Sequence, residues 1–568
     1  MQSSLPQKRE KFANFHNFVG SRMPPVSHGH AWNCSPPADL AAVPRNQPRS
    51  DPHGEECSPL CEPFRQKRKR RLACRGIGGW LLVVSVLFGS GCSGESGERE
   101  LPLSATQRRW DGVELILRCS EPSWRTALEP LVHNWAYRTG ATVHWRDTAM
   151  QPGDDTDLAV LPAVELGSWA DRDELARVPA AFRQAGHPFQ WTNVLLPYRE
   201  YLIEWGGQAQ ALPLAGDAYL LILRRDQLEN PTVRTTHERL WKRPPSPPAT
   251  WEDFAELAIT FTQVSGQPCL PLWQGTAWVD IFFRIAACYD RPAVTDTDKV
   301  QAAPFFFDPQ TATPRLQAPA FVQAARWLAS LVEHRCLPSA GAEAKTVSPE
   351  SSPTAGEALA KGQAWLAIAS LRDLEALSGA TGRVDPRFLI APLPGSRGYY
   401  TREGNWVPTV TPNYVPYFAG GYVGVVRQRC RSPEAAFELL GELGSPTRSL
   451  EILSTPGLNA GPFRTTHLDR DRLHIWYGYR LDAEGSLHLQ DALRSYVRAE
   501  VKNPVVGLRA PDQARLRSAA ATELSRLLRG DQPEEVIQRL SAAWQRLDAE
   551  VPRADRLRWR QASAGLTD

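Results

Sequence analysis

Acids and aromatics recur together in this chain, each time just past an apolar run. Glu121 and Trp124 follow VELILR (Val113–Arg118), and Glu165 and Trp169 follow DLAVL (Asp157–Leu161). Trp273, Gln274 and Trp278 stand in LPLWQGTAW, Asp217 stands in LPLAGDAY, and Ser370 and Arg372 close or follow AWLAIAS. Trp406, Tyr414, Tyr417 and Phe418 make an aromatic run that ends at Gly420 and Gly421, and Arg464 lies farther on. Flat aromatic faces and a few planar polar groups on loops are the equipment of noncovalent small-molecule recognition. Each position also has a plainer reading. The first four suit helix capping and core packing, Asp217 a turn, Trp273 or Trp278 the core, and Arg464 an exposed charge. The paired glycines either bring backbone close to a ligand or allow rotation at a hinge.

Covalent chemistry has less support. The chain has no nucleophile elbow, phosphate loop or H-E-x-x-H pattern. A glycoside hydrolase needs two carboxylates at a set separation, and no pair of acids stands out by context. No catalysis, cofactor or metal is expected. Cys57 and Cys61 have C-x3-C spacing near His53, but no second ligand pair follows at finger spacing. A net charge of +3, much of it in one basic cluster, excludes a nucleic-acid surface. The 19 tryptophans must largely build core, and they still leave aromatic surface for a ligand.

The candidate residues need a scaffold, and the patterning supplies one. VELILR, ATVHW (Ala141–Trp145) and DLAVL read as strands. Between the first two, Leu128, Leu131, Val132 and Trp135 share a helical face that ends at Thr139 and Gly140. Such β-α-β alternation predicts a parallel sheet covered by helices. WGGQAQALP is a turn followed by a short strand, and AYLLILRRD a buried strand. Pro244–Pro248 is a linker, after which Thr250 and Asp253 form a capping box for a helix lined by Trp251, Phe254, Ala258 and Phe261. AWLAIA, FLIAPLPG and GGYVGVV read as strands, Ser432–Pro433 opens a helix, and Asp512–Glu550 holds two helices split at Gly530 and Pro533.

Residues Trp80–Cys92, WLLVVSVLFGSGC, follow a dense basic cluster that includes Arg65, Lys67, Arg68, Lys69, Arg70, Arg71 and Arg75. A positive region, a short apolar core and small residues before a cysteine describe an export signal whose Cys92 is lipidated. The run is shorter than the about 20 residues that a membrane-spanning helix needs. An uncleaved anchor and a buried helix are the alternatives. Lipoprotein signals usually carry Leu three places before the cysteine, where this chain has Gly89. Residues 1–75 read as a disordered basic extension, or as the product of an early start codon with Met23 a later candidate. About 475 residues follow Cys92, enough for two lobes with sizeable cores. Five of the ten cysteines lie among them, and their spacing does not give a pairing.

ALPLAGDAYLLILRRD, PPATWEDFAELAITFT, IAPLPGS, GGYVGVVRQRCRSPEAAFELLGELGS and DQPEEVIQRLSAAW occur in this order. Together they resemble the extracellular solute-binding proteins of ABC importers, in the sugar-binding, maltose-binding-like class. The resemblance covers about Val113–Leu547 and rests on order and spacing, since no single motif is specific. It implies an α/β, two-lobed periplasmic-binding-protein fold of type II with a multi-crossing hinge. Crossings are expected near Leu214–Ala218, Gly420–Tyr422 and Thr455–Gly461. That gives signal 76–92, tether 93–108, lobe I 109–216 plus 423–456, lobe II 217–422 plus 457–555, and tail 556–568. It implies a monomer that binds a sugar or oligosaccharide, delivers it to ABC permease subunits, and is held at the membrane by a lipid on Cys92 outside the cytoplasm. A receptor's sensor subunit of the same fold is the alternative. Aromatic faces would stack on pyranose C–H patches, and planar polar groups would pair with hydroxyls.

Overall fold

The computed structural model describes residues 108–272, 275–293, 305–338, 354–379, 381–498 and 504–566. Two sheets organise them. Strands β1 (Glu114–Cys119), β2 (Thr142–Arg146), β3 (Leu158–Pro162), β6 (Leu212–Ala215) and β13 (Tyr422–Val426) form a five-stranded sheet in the order β2-β1-β3-β13-β6. Strands β7 (Tyr219–Arg224), β8 (Leu366–Ser370) and β9 (Phe388–Ala391) form a second sheet in the order β8-β7-β9. These are the cores of lobes I and II.

The first sheet follows from its residues. In β1, Leu115, Leu117 and Cys119 are buried alternately, while β3 buries Leu158, Ala159, Val160 and Leu161 in a row. A strand flanked on both sides and covered on both faces reads this way. Helix α1 (Pro122–Thr139) covers β1 with Trp124, Leu128, Val132 and Trp135, and Gly140 ends it in the left-handed region at φ 84°. β1 pairs in parallel with β2 and β3, whereas β13 runs antiparallel to β3 and to β6.

Before β6 the chain makes a hairpin, β4 (Glu204–Trp205) against β5 (Gln208–Ala209). Gly206 and Gly207 at its tip both have positive φ, as the tight turn between such strands requires. Lobe II also holds helices α2 (Pro231–Trp241), α3 (Trp251–Ser265), α4 (Gly275–Asp290) and α5 (Pro319–Glu333), with α2 packed on α3 and α5 packed on α3 and α4. Both bonds of the predicted capping box are made, between Thr250 and Asp253, at 3.1 Å each. Strands β10 (Ser396–Tyr400) and β11 (Trp406–Asn413) form a hairpin against α4, and β12 (Tyr417–Phe418) pairs with β14 (Val505–Val506). Helices α6 (Pro433–Leu443) and α7 (Pro446–Leu453) return to lobe I, while α8 (Ala483–Val497) packs on the second sheet.

The chain passes between sheets at residues 216–218 and 419–421. A third segment runs beside the first passage, where Gly216 and Gly461 exchange amide-to-carbonyl bonds of 2.9 and 2.8 Å. It stays in lobe I for longer than expected. Phe463 accepts from the Leu195 amide, and His467 bonds Ser449 of α7. The C-terminal helices α9 (Gln513–Leu524) and α10 (Pro533–Ala549) pack on α4 and α5. The expected tail is instead largely helical: α11 (Arg553–Ser563) folds back on the β4–β5 hairpin, where the Gly206 amide bonds the Ala562 carbonyl at 3.0 Å. The export stretch with Cys92, residues 57–61, Trp273 and Gln274 lie outside the described residues. Among the described residues no helix is long and apolar enough to cross a membrane.

Candidate functional site

Topology brings one edge of each sheet together. β1, β3 and β6 all end at the same edge of the lobe I sheet. β13 begins there, since Tyr422 pairs with both Pro162 and Ala215. Glu121 follows β1 and Glu165 follows β3, so both acids stand at this edge with Tyr422. In lobe II, β7 begins and β8 ends at one edge, where Tyr219 pairs with Ser370 and Arg372 follows. The passage at 216–218 is short, so these two edges face each other across the hinge. Ligands of open α/β sheets bind at the carboxyl ends of strands for this topological reason.

The groups at this junction sense one another. The Tyr422 ring stacks on Trp124 with centroids 4.2 Å apart. Burial, then the Glu121 carboxylate, pushes the Tyr422 phenol up to about 12, with Glu165 acting in the same direction and Arg372 against it. Glu121, Glu165 and Arg372 thus lie within electrostatic reach of one phenol that stays neutral at physiological pH, although they come from three loops and two lobes. Burial also raises the Glu165 carboxyl. Arg372 is exposed, and Tyr422, Glu121 and Glu165 are half-buried. Trp124 is fully buried beneath Tyr422. It supports the aromatic face instead of presenting one. Tyr422 is the residue that sequence reasoning missed, and its signal was its place directly after Gly420–Gly421.

Other candidates build the hinge. Asp217 is 2% exposed, and its Oδ2 accepts from Arg284 Nη2 at 3.1 Å, from the Gly420 amide at 3.0 Å and from the Ala419 amide at 3.3 Å. Arg284 of α4 also donates to the Tyr417 carbonyl at 2.6 Å and to the Tyr496 hydroxyl at 3.0 Å, and lies 3.9 Å from the Tyr219 ring centre. One carboxylate therefore ties the first passage to the second and to lobe II. The glycines serve this junction. A Cβ on Gly420 would stand 2.8 Å from Asp217 Cβ, and Gly421, at φ 97°, would place one 2.5 Å from the Ala215 carbonyl. They let chain approach chain in place of a ligand.

Several expectations are corrected. Arg464 is no exposed or solute-facing charge. It is fully buried, donates to the Gly444 and Gln190 carbonyls, and packs over Phe189. Burial lowers its guanidinium to about 9, still protonated at neutral pH. Tyr417, Phe418 and Trp278 are 1%, 0% and 2% exposed, and Tyr414 gives its hydroxyl to the Tyr496 carbonyl, so none offers an open face. Trp169 is buried and packs against Arg427. Trp406 is exposed, but it stands on the β10–β11 hairpin beside Tyr400 and Tyr289, and no contact ties it to the Tyr422 group. Ser370 donates to Asp373 Oδ2 at 2.8 Å, closing the end of β8.

A cavity of about 950 Å³ opens elsewhere, among Pro247–Ala249, Ala391–Leu393, Thr411–Tyr414, Thr465–Asp469 and Arg494–Arg498. Volume and chemistry point to different places. The sheet edges carry the convergent acid, phenol and guanidinium, so they define the candidate site. Among the described residues no three His, Cys, Asp or Glu side chains group as metal ligands.

A two-lobed α/β scaffold with a hinged junction and a polar-aromatic group between its sheet edges is the architecture of a solute receptor. The chain belongs to the bacterial extracellular solute-binding proteins, whose family model matches residues 146–473. Solved structures agree on the fold. Maltose-bound MalE3 of T. maritima is 16% identical, with a TM-score of 0.53 over 77% of this chain and all of that one. The substrate-binding protein Lmo0181 of Listeria monocytogenes, in complex with cycloalternan, is 14% identical with a TM-score of 0.54 over 77% of this chain and all of that one. The cyclic α-maltosyl-1,6-maltose binding protein of Arthrobacter globiformis is 14% identical, with a TM-score of 0.53 and the same coverage. A comparison with curated proteins finds no match in sequence.

Proposed function

We propose that this exported protein binds a sugar or oligosaccharide between its lobes and hands it to the permease of an ABC importer, held at the membrane by a lipid on Cys92. The observation that carries the reading is the group at the facing sheet edges: Tyr422 stacked on Trp124, with Glu121, Glu165 and Arg372 around its phenol. A stacked aromatic pair gives a pyranose an apolar platform, while carboxylates and a guanidinium pair with hydroxyls in bidentate fashion. Trp273 and Gln274, which precede α4 in sequence, are proposed to complete the pocket, with Ser370 at its lobe II edge. The maltose, cycloalternan and cyclic maltosyl-maltose complexes of similar fold support a carbohydrate ligand. Closure about the hinge would remove the solute from water and present the permease with a distinct closed surface. No catalytic step is needed.

Thermal-shift screening against mono- and oligosaccharides tests this. A ligand that binds only the folded state raises the melting midpoint by mass action. Stabilisation by saccharides without turnover supports the reading. Stabilisation by amino acids, polyamines or phosphates alone would overturn it. Mass spectrometry of the mature protein tests the lipid on Cys92 independently.

A further inference from the structure

Five cysteines fall among the described residues, all buried and none in a disulfide: Cys119, Cys269, Cys288, Cys336 and Cys430. Their surroundings differ. Cys119 ends β1, Cys288 lies within α4, and Cys430 follows β13. Their thiols face the carbonyls of Glu121 and Val415, and Asp157, respectively. The Cys269 thiol donates to the Ala258 carbonyl at 3.2 Å and the Cys336 thiol to the His334 carbonyl at 3.9 Å, but here the two cysteine backbones are joined directly. The Cys269 amide donates to the Cys336 carbonyl at 3.1 Å, and the Leu270 amide donates to the same oxygen at 3.0 Å. Burial, then the neighbouring Cys336 thiol, raises the Cys269 thiol well above its ordinary value. Backbones joined this directly have Cα atoms within the roughly 4.4–6.8 Å that a disulfide spans.

We propose that Cys269 and Cys336 form a disulfide in the exported protein, tying the segment before α4 to the turn after α5. The placement gives the bond a purpose. Cys269 also accepts from the Trp365 and Leu366 amides at 2.8 and 3.2 Å, so its backbone already docks on the start of β8. Cys336 closes the end of α5 by donating its amide to the Leu331 carbonyl at 2.8 Å. The bond would fix the segment around Cys269 against the start of β8 and the end of α5. It would also enclose α4 and α5 within one covalent ring and so restrict the unfolded chain.

The reaction is an exchange with an external disulfide such as oxidised glutathione. One cysteine thiolate attacks a glutathione sulfur, forming a mixed disulfide and expelling one glutathione thiolate. The second cysteine attacks the mixed disulfide and expels the other. Two protein thiols lose their protons, two electrons reduce the glutathione disulfide, and the expelled thiolates take up the protons. In the folded protein both sulfurs are inaccessible, at 1% and 0% residue exposure. The bond therefore forms while the chain is still folding, as an exported chain does among disulfide oxidants.

The test is oxidative refolding. The full chain is denatured and reduced, refolded in mixed oxidised and reduced glutathione, denatured again, alkylated and mapped by mass spectrometry. The expected result is alkyl label on Cys119, Cys288 and Cys430, with Cys269 and Cys336 recovered as one linked pair of peptides. A Cys269→Ser variant should then leave Cys336 alkylated, and reduction should lower the melting midpoint of the natural chain by several degrees. Label on all five, or linkage of any other pair among them, overturns the proposal. The refolding step needs neither export nor a ligand, so its failure is distinct from failure of the saccharide reading.

Discussion

The hinge cluster and the cleft group are built from the same residue types and behave in opposite ways. At the hinge, Asp217, Arg284, Tyr417 and Tyr496 are buried, and the carboxylate and guanidinium are held by named partners on several segments. At the cleft, Glu121, Glu165, Arg372 and Tyr422 retain exposure, and they share a field without direct bonds among them. An acid, an arginine and a tyrosine can therefore hold two lobes together or meet a solute. Burial and prior partnership decide which.

Substitutions can break that contrast. Asp217→Ala leaves Arg284 buried without its carboxylate and should cost about 3–5 kcal/mol of stability in chemical denaturation. A loss under about 1 kcal/mol, joined to lost saccharide binding, would move Asp217 to the cleft side. Tyr422→Ala should weaken the saccharide found by screening at least about tenfold in calorimetric titration, with a smaller stability loss than Asp217→Ala. Unchanged affinity would remove Tyr422 from the site. Arg372→Ala should weaken binding about three- to tenfold, near 1 kcal/mol, and leave stability within about 0.5 kcal/mol because the side chain is exposed.

The smaller effects concern regions outside the contrast. Burial holds His467 well below the ordinary histidine range, and its Nε2 bonds Ser449. Its folded affinity for protons is depressed, so its contribution is full above the unfolded value near 6.5 and declines as pH falls toward the folded one. His187 and His237 are lowered by burial with the same sign. Stability measured by urea titration should therefore fall below about pH 6.5, and less steeply in His467→Gln. A flat profile from pH 7 to 5 would contradict the neutral buried imidazoles. Trp406→Ala, on its outlying hairpin, should change affinity by less than about twofold. A larger loss would extend the cleft to β10–β11.

Much of the scaffold was legible because its signals are local. The alternation in ELILRC, the Thr250–Asp253 box and the Gly530–Pro533 break each act within a few residues, and the first three strands lie within one residue of their expected places. The β10–β11 hairpin was not read. Prolines at 408 and 412 disguise its second strand, which lies at a sheet edge where missing amides cost little. The site was half legible. Glu121, Glu165 and Arg372 were read as candidates from their places after strand ends, and the structure brings them to one junction. Trp124 was read as a ligand-facing ring and Tyr422 was not read, because which ring lies beneath the other depends on residues almost 300 positions apart. Arg464 was misread because its partners are the Gly444 and Gln190 carbonyls, which no side-chain pattern announces.

The returning C-terminal helix alters how the lobes can travel. Arg558 and Trp559 of α11 grip Asp171 in lobe I, while Arg560 reaches Asp512 and Asp548 beside the lobe II helices. One turn of this helix is thus bonded to both lobes, in addition to the passages that join the sheets. A swing of one lobe against the other would have to carry α11 along or break one of these sets of bonds.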